Sequence, residues 1–192
     1  MKLHELLNRK RELARDMLNG TGEISPSDFD LADVIPASDD FTLDARVTLD
    51  DVLQMRPDYF EGLVAALWQQ RGFPEVQRTP TRGDHGVDVV ALHRPQGELI
   101  QCKTSSIENA QLGWDAIKDV VAGAATYERR HPDVQFKRVC VTNQFFNATT
   151  QRHAENNHVE LYDQQHLAQF LKDYPVRLLE VERFLYTDWN QA

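Results

Sequence analysis

The sequence predicts an α/β fold: a central mixed five-stranded sheet flanked by helices, with a helical and acidic extension at the N-terminus. Three observations carry this. Five short segments of strand length, most of them apolar, are interleaved with segments whose apolar residues recur at the helical period. The turn signal Arg94-Pro95-Gln96-Gly97 joins two of these runs as a hairpin, which makes the first strands antiparallel. Further along, a strand–helix–strand succession favours a parallel pair.

Taken in order, residues 1–19 read as an amphipathic helix, with Leu3, Leu6, Leu7, Leu13, Met17 and Leu18 near a helical period and Gly20 as the stop. Between Glu23 and Asp51 nine acids stand against one base, Arg46. This stretch is a solvated linker or a set of short helices, one of which Thr48 would cap. A sharper alternative lays it across a cleft as a nucleic-acid mimic or against a basic partner. Residues 58–71 form a helix with Phe60, Leu63, Val64, Leu67 and Trp68 on its apolar face and Gly72 at its end. A short strand is expected over 75–79, a turn over 78–86, a buried strand over 87–92 and its hairpin partner over 99–103. A long helix is expected over 110–129, burying Trp114, Ile117, Val120, Val121, Ala124 and Ala125. A strand at 138–142, a short helix at 148–156, a last strand at 159–162 and a closing helix at 163–174 complete the core. Tyr127, Trp114 and Phe145 are read as core. The domains expected are 1–51 (helix plus acidic linker or short helices), 52–174 (the α/β domain) and 175–192 (a helical tail).

Composition narrows the function. No apolar run approaches the roughly 18 residues of a membrane span, and the charged N-terminus lacks a signal peptide's apolar core. The chain therefore reads as cytoplasmic with no membrane partner. Cys102 and Cys140, the two cysteines, lie in strand-like runs and read as buried free thiols. The seven histidines have no metal-like spacing. A net charge of −9 argues against tight phosphate binding by one chain, although residues 71–138 carry 10 Lys/Arg against 9 Asp/Glu.

The chemistry is expected in that central segment. Gln101 and Lys103 are two apart on one strand and so project from one face, while Ile100 and Cys102 project from the other. The hairpin holds Asp88 beside them. Two polar groups and a cation on an apolar strand need a purpose, since burying them unpaired would cost several kcal/mol. Phosphodiester hydrolysis supplies one: a divalent cation polarises phosphate and lowers the pKa of water. Asp88 offers a carboxylate, Gln101 an amide oxygen and Cys102 a main-chain carbonyl, a set suited to Mg²⁺ or Mn²⁺. Lys103 can orient the water or offset developing charge. Glu61, on the first core helix, can serve as a water-mediated or second-metal ligand. Arg78 and Arg82, on the loop before Asp88, can clamp phosphates. Asp84 and His85 are read as turn-formers, and Asn143 as a group that orients nearby backbone.

The segments DYFEGLVAALWQQRGF, RGDHGVDVV, IQCK and VCVTNQFFNATTQRHAENNHVELYD, in this order over residues 59–171, resemble the Mrr-like branch of restriction endonucleases. The resemblance implies a restriction-endonuclease-like core and a DNA endonuclease, often in restriction or phage defence and often acting on modified DNA. It also implies a catalytic core of Asp88, Gln101 and Lys103 with Glu61 assisting. Many superfamily members have a carboxylate where Gln101 stands, which leaves one negative charge fewer for metal. The expected partner is DNA. A homodimer through residues 1–19 and a regulatory partner protein are further expectations. The alternative reading is a nuclease-fold binding module, or an effector subunit that a partner activates.

Overall fold

The structure of the protein, a computed structural model, describes residues 45–80 and 85–186. The helix expected over 1–19, most of the acidic stretch, and Arg82 and Asp84 lie outside the described residues.

Helix α1 (Leu49–Leu53) opens the described chain, and Thr48 caps it through a box with Asp51: Thr48 N–H donates to Asp51 Oδ2 at 2.9 Å. Helix α2 (Pro57–Gln70) has proline at its first turn, where a missing N–H costs nothing. It is buried on nearly every side from Tyr59 to Trp68, beyond the single apolar face that its periodicity suggests. The reason is a helix in the expected C-terminal segment, α6 (Leu178–Tyr186), which covers the outer side of α2. A Cβ on Gly62 would come within 3.0 Å of the Val181 carbonyl, and Gln70 Nε2 donates to Glu180 Oε1 at 2.9 Å.

The main sheet is formed by β1 (Glu75–Arg78), β2 (Val89–His93), β3 (Gln96–Lys103), β5 (Gln135–Thr142) and β7 (Val159–Tyr162), in the order β1-β2-β3-β5-β7. The first two pairings are antiparallel and the last two parallel, the mixed sheet that the hairpin and the crossover require. The turn sits on Arg94-Pro95, with His93 opposite Gln96, so β3 begins three residues before the expected Leu99. Pro95 has no N–H for a ladder and takes the turn, which frees Gln96 and Gly97 to pair. At Gly97 a side chain would strike Phe136 and Val134. Helix α3 (Lys118–Arg130) covers one face of the sheet and α2 the other. On the α3 face Val87, Val90, Leu92 and Leu99 meet Ile117, Val120, Ala124 and Tyr127 in one core. Helix α4 (Ala148–Asn156) and helix α5 (Gln164–Asp173) complete the framework.

The expected helix over 110–129 is corrected at its start. Residues Gln111–Leu112 form β4, which pairs with β6 (Phe145–Phe146), and a 3₁₀ turn spans Trp114–Ala116 before α3 begins. Gly113 interrupts the helical run. The Leu112 carbonyl is taken by Asn147 N–H at 3.1 Å and Thr150 Oγ1 at 2.9 Å, so tertiary partners outweigh local periodicity. Trp114 consequently leaves the core: it is 38% exposed, with its ring 4.9 Å from that of His153. Phe146 takes the buried position and Phe145 is half-buried.

On the α2 face, Trp68 donates its indole N–H to the buried Glu98 carboxylate at 2.6 Å, and Arg71 lies over the Trp68 and Phe170 rings at 4.4 and 4.8 Å. Cys102 and Cys140 are free thiols, the second buried. No helix among the described residues is long and apolar enough to cross a membrane.

Candidate active site

Asp88 enters the sheet just before β2. Its N–H donates to the Ile100 carbonyl at 2.8 Å, and its own carbonyl accepts from Thr79 N–H at 2.9 Å. That pairing sets its side chain against β3. Its Oδ2 accepts from Gln101 Nε2 at 2.5 Å and from the Cys102 N–H at 2.6 Å. An ionised carboxylate only accepts, so the amide nitrogen of Gln101 must face it. The amide oxygen, Oε1, is then left buried with no hydrogen-bond partner. A buried acceptor without a donor is costly, and a cation is one way to satisfy it.

Asp88, Gln101 and Lys103 line one cavity of about 530 Å³. Its other wall belongs to α3, which contributes Asp119, Ala122 and Gly123. Lys103 and Asp119 are half-buried ion partners, with Nζ 3.4 Å from Oδ2. His85 and Gly86, in the turn before Asp88, also line the cavity. Both residues are left-handed, at φ 52° and 78°, which agrees with a turn-forming role for His85. A side-chain carbon on Gly86 would meet the backbone and Cβ of Asp119, and one on Gly123 would meet the His85 carbonyl. The turn that leads to Asp88 is thus pressed against two successive turns of α3. Beyond Lys103, Asn143 orients backbone as expected: it accepts from Ser105 N–H at 2.9 Å and donates to the Ser105 carbonyl at 3.2 Å.

Glu61 does not line the cavity. It stands on α2 in an ion pair with Arg78, Nε to Oε2 3.1 Å. Burial, and then the Asp88 charge, push its carboxyl up to about 7 against the opposing pull of Arg78. Arg78 is turned inward, to Glu61 and to the Phe184 carbonyl at 3.4 Å, so in this conformation its guanidinium is engaged by protein. An acid raised in the folded state favours folding below its unfolded value, near 4.5, and that stability is lost as pH rises through about 7. In the metal-free protein, Glu61→Gln is expected to flatten the fall in stability between those pH values, by at most roughly 3 kcal/mol. Thermal melts of both proteins across that range check this, and parallel curves would refute it.

Asp119 was not anticipated by sequence reasoning. The available signal was Gly123, four residues on: a glycine inside a helical run costs about 1 kcal/mol, so it marks a close approach. The residue facing the same neighbour one turn earlier is Asp119.

The family model of the Mrr catalytic domain, described as a restriction endonuclease, matches residues 52–171. No curated protein matches the chain. Among solved structures, the chain is similar to the crystal structure of a protein of unknown function, at 22% identity over 62% of this chain and 66% of that one, with a TM-score of 0.46. It is also similar to the MspJI restriction endonuclease in complex with a 27-mer oligonucleotide, at 18% identity over 71% of this chain and 32% of that one, with a TM-score of 0.49. It spans less than two thirds of either. The family match extends over more than half of the sequence, from α1 to α5, and the chain belongs to the Mrr catalytic-domain family of restriction endonucleases.

Proposed function

We propose that this protein is a metal-dependent DNA endonuclease that hydrolyses phosphodiester bonds, in restriction or phage defence. The observation that carries the reading is the buried, unpartnered Oε1 of Gln101 beside the Asp88 carboxylate, in a cavity that also holds Lys103. These oxygens fit a hard divalent cation, Mg²⁺ or Mn²⁺, which takes few protein ligands and keeps several waters. Among the described residues no three His, Cys, Asp or Glu side chains cluster to hold a metal, so the donor set is a carboxylate and an amide, joined by the Cys102 carbonyl. Glu61 is close enough to Asp88 to feel its charge and would assist through water. The bound cation would polarise the phosphate and acidify water. Lys103 supplies the cavity's positive side chain, placed to offset charge on the phosphate oxygens. Arg78 would reach a phosphate only by leaving Glu61, and Arg82 would be the second phosphate-binding arginine.

The surplus of acids, −9 overall, favours a second element in DNA binding, either another copy of the chain or a partner protein that activates it. The test is cleavage of supercoiled plasmid and phage genomic DNA with Mg²⁺ or Mn²⁺, by the wild type and by Asp88→Asn. The expected result is nicked and linear product from the wild type, abolished by chelator and by the substitution. Persistent cleavage by Asp88→Asn would move the site elsewhere. No cleavage of double-stranded, single-stranded or modified DNA by the wild type would leave a binding module or a partner-dependent effector in its place.

A further inference from the structure

The cavity contains an ion pair whose role the proposed reaction does not use. Lys103 and Asp88 project into the same space, and an ammonium placed on the Asp88 carboxylate would occupy the position a divalent cation needs. Instead, Lys103 Nζ lies 3.4 Å from Asp119 Oδ2, across on α3. Asp119 is fixed there by packing, because its Cα, Cβ and carbonyl carbon all lie where a side chain on Gly86 would begin. Gly123, one turn on, leaves room for the His85 carbonyl in the same way. The Lys103 counter-ion is therefore held at a set distance from the strand pair that carries Asp88 and Gln101.

We propose that Asp119 is a positioning residue: it tethers the Lys103 ammonium to the α3 wall, so that the ammonium does not take the place of a divalent cation beside Asp88 and Gln101. This rests on the reading of Asp88 and Gln101 as cation ligands. The pair also sets the charge of the cavity. Among the described residues, its two carboxylates and one ammonium carry a formal −1, which a divalent cation would turn to +1. Asp119 enters that sum by offsetting the charge of Lys103, the ammonium that it keeps from taking the cation's place.

The experiment measures Mn²⁺ affinity of the full chain by calorimetry, without DNA, for the wild type, Asp88→Ala, Asp119→Asn, Asp119→Glu, Lys103→Ala and the double variant Lys103→Ala/Asp119→Asn. Asp119→Asn keeps the contact with Gly86, and melting curves verify that each variant folds. Expected is a roughly 5- to 30-fold weaker Kd for Asp119→Asn, the scale of a partly screened ion pair competing with the cation. Asp119→Glu is expected to restore most of it. In the Lys103→Ala background, Asp119→Asn is expected to have no further effect, within about twofold. Equal weakening in both backgrounds would mean that Asp119 acts by its own charge and would overturn the inference, as would no weakening in either. Failure of the underlying site reading looks different: the wild type binds no Mn²⁺, or Asp88→Ala binds it as well as the wild type does.

Discussion

Lys103→Ala is expected to lower the single-turnover rate of DNA cleavage by about 100- to 1000-fold, the cost of removing one preorganised group from a developing charge. The cavity's lining holds Lys103 as its one cation among the described residues, on the same strand face as Gln101. Asp119 keeps that cation in place before substrate arrives. Binding of DNA should weaken only modestly, because a single phosphate contact among many is lost. The rate and the affinity therefore separate the role of Lys103 from simple electrostatic attraction. A variant that cuts within about tenfold of the wild type would remove Lys103 from the chemistry, whatever its affinity.

Gly123→Ala is expected to destabilise the protein and disable the site together. Glycine to alanine inside a helix ordinarily gains about 1 kcal/mol. Here the new Cβ would lie 2.9 Å from the carbonyl carbon of His85 and inside its oxygen, and both are backbone atoms. The turn must shift, at a cost of about 1–3 kcal/mol for overpacking. For a chain of this size each kcal/mol lowers Tm by about 2–4 °C. Because that turn leads directly into Asp88, a displacement of about 1 Å would cost up to 100-fold in cleavage. Gly72→Ala supplies the contrast: Gly72, unlike Gly123, is left-handed, at φ 102°, and has nothing within 4 Å of a new Cβ. It should lose stability and keep its rate. A Gly123→Ala protein with unchanged Tm and rate would show that the turn is not clamped to α3.

Most of the framework was legible in the sequence because its signals are local. Helix α2, strands β2 and β7, and helices α4 and α5 fall within a residue or two of their expected spans, each set by periodicity, a glycine stop or a cap. The grouping of Asp88, Gln101 and Lys103 was legible for a similar reason: a two-residue spacing on one strand and one short hairpin bring them together. What was not legible depends on partners distant in sequence. The start of the 110–129 helix is taken by β6, thirty-odd residues on. Trp114 follows it out of the core. The inward turn of Arg78 is set by Glu61 and by α6, and Asp119 joins the site through a packing contact with Gly86 that no local pattern encodes.

Strand β3 carries a polar group on each of its faces. Glu98 points to Trp68 on the α2 side, and three residues later Gln101 meets Asp88 on the other. Side chains alternate along a strand, so a slip of one residue in its pairing would exchange the two faces completely. Glu98 would enter the layer of Val120, Ala124 and Tyr127, and Gln101 would lose Asp88 for the apolar side of α2. Glu98 would lose the Trp68 indole and be buried uncompensated, and Gln101 would lose Asp88. An all-apolar β3 would bind its neighbours at least as strongly and could pair in either frame. The polar residues of this strand thus encode alignment: the chain assembles in the one frame that also assembles the site.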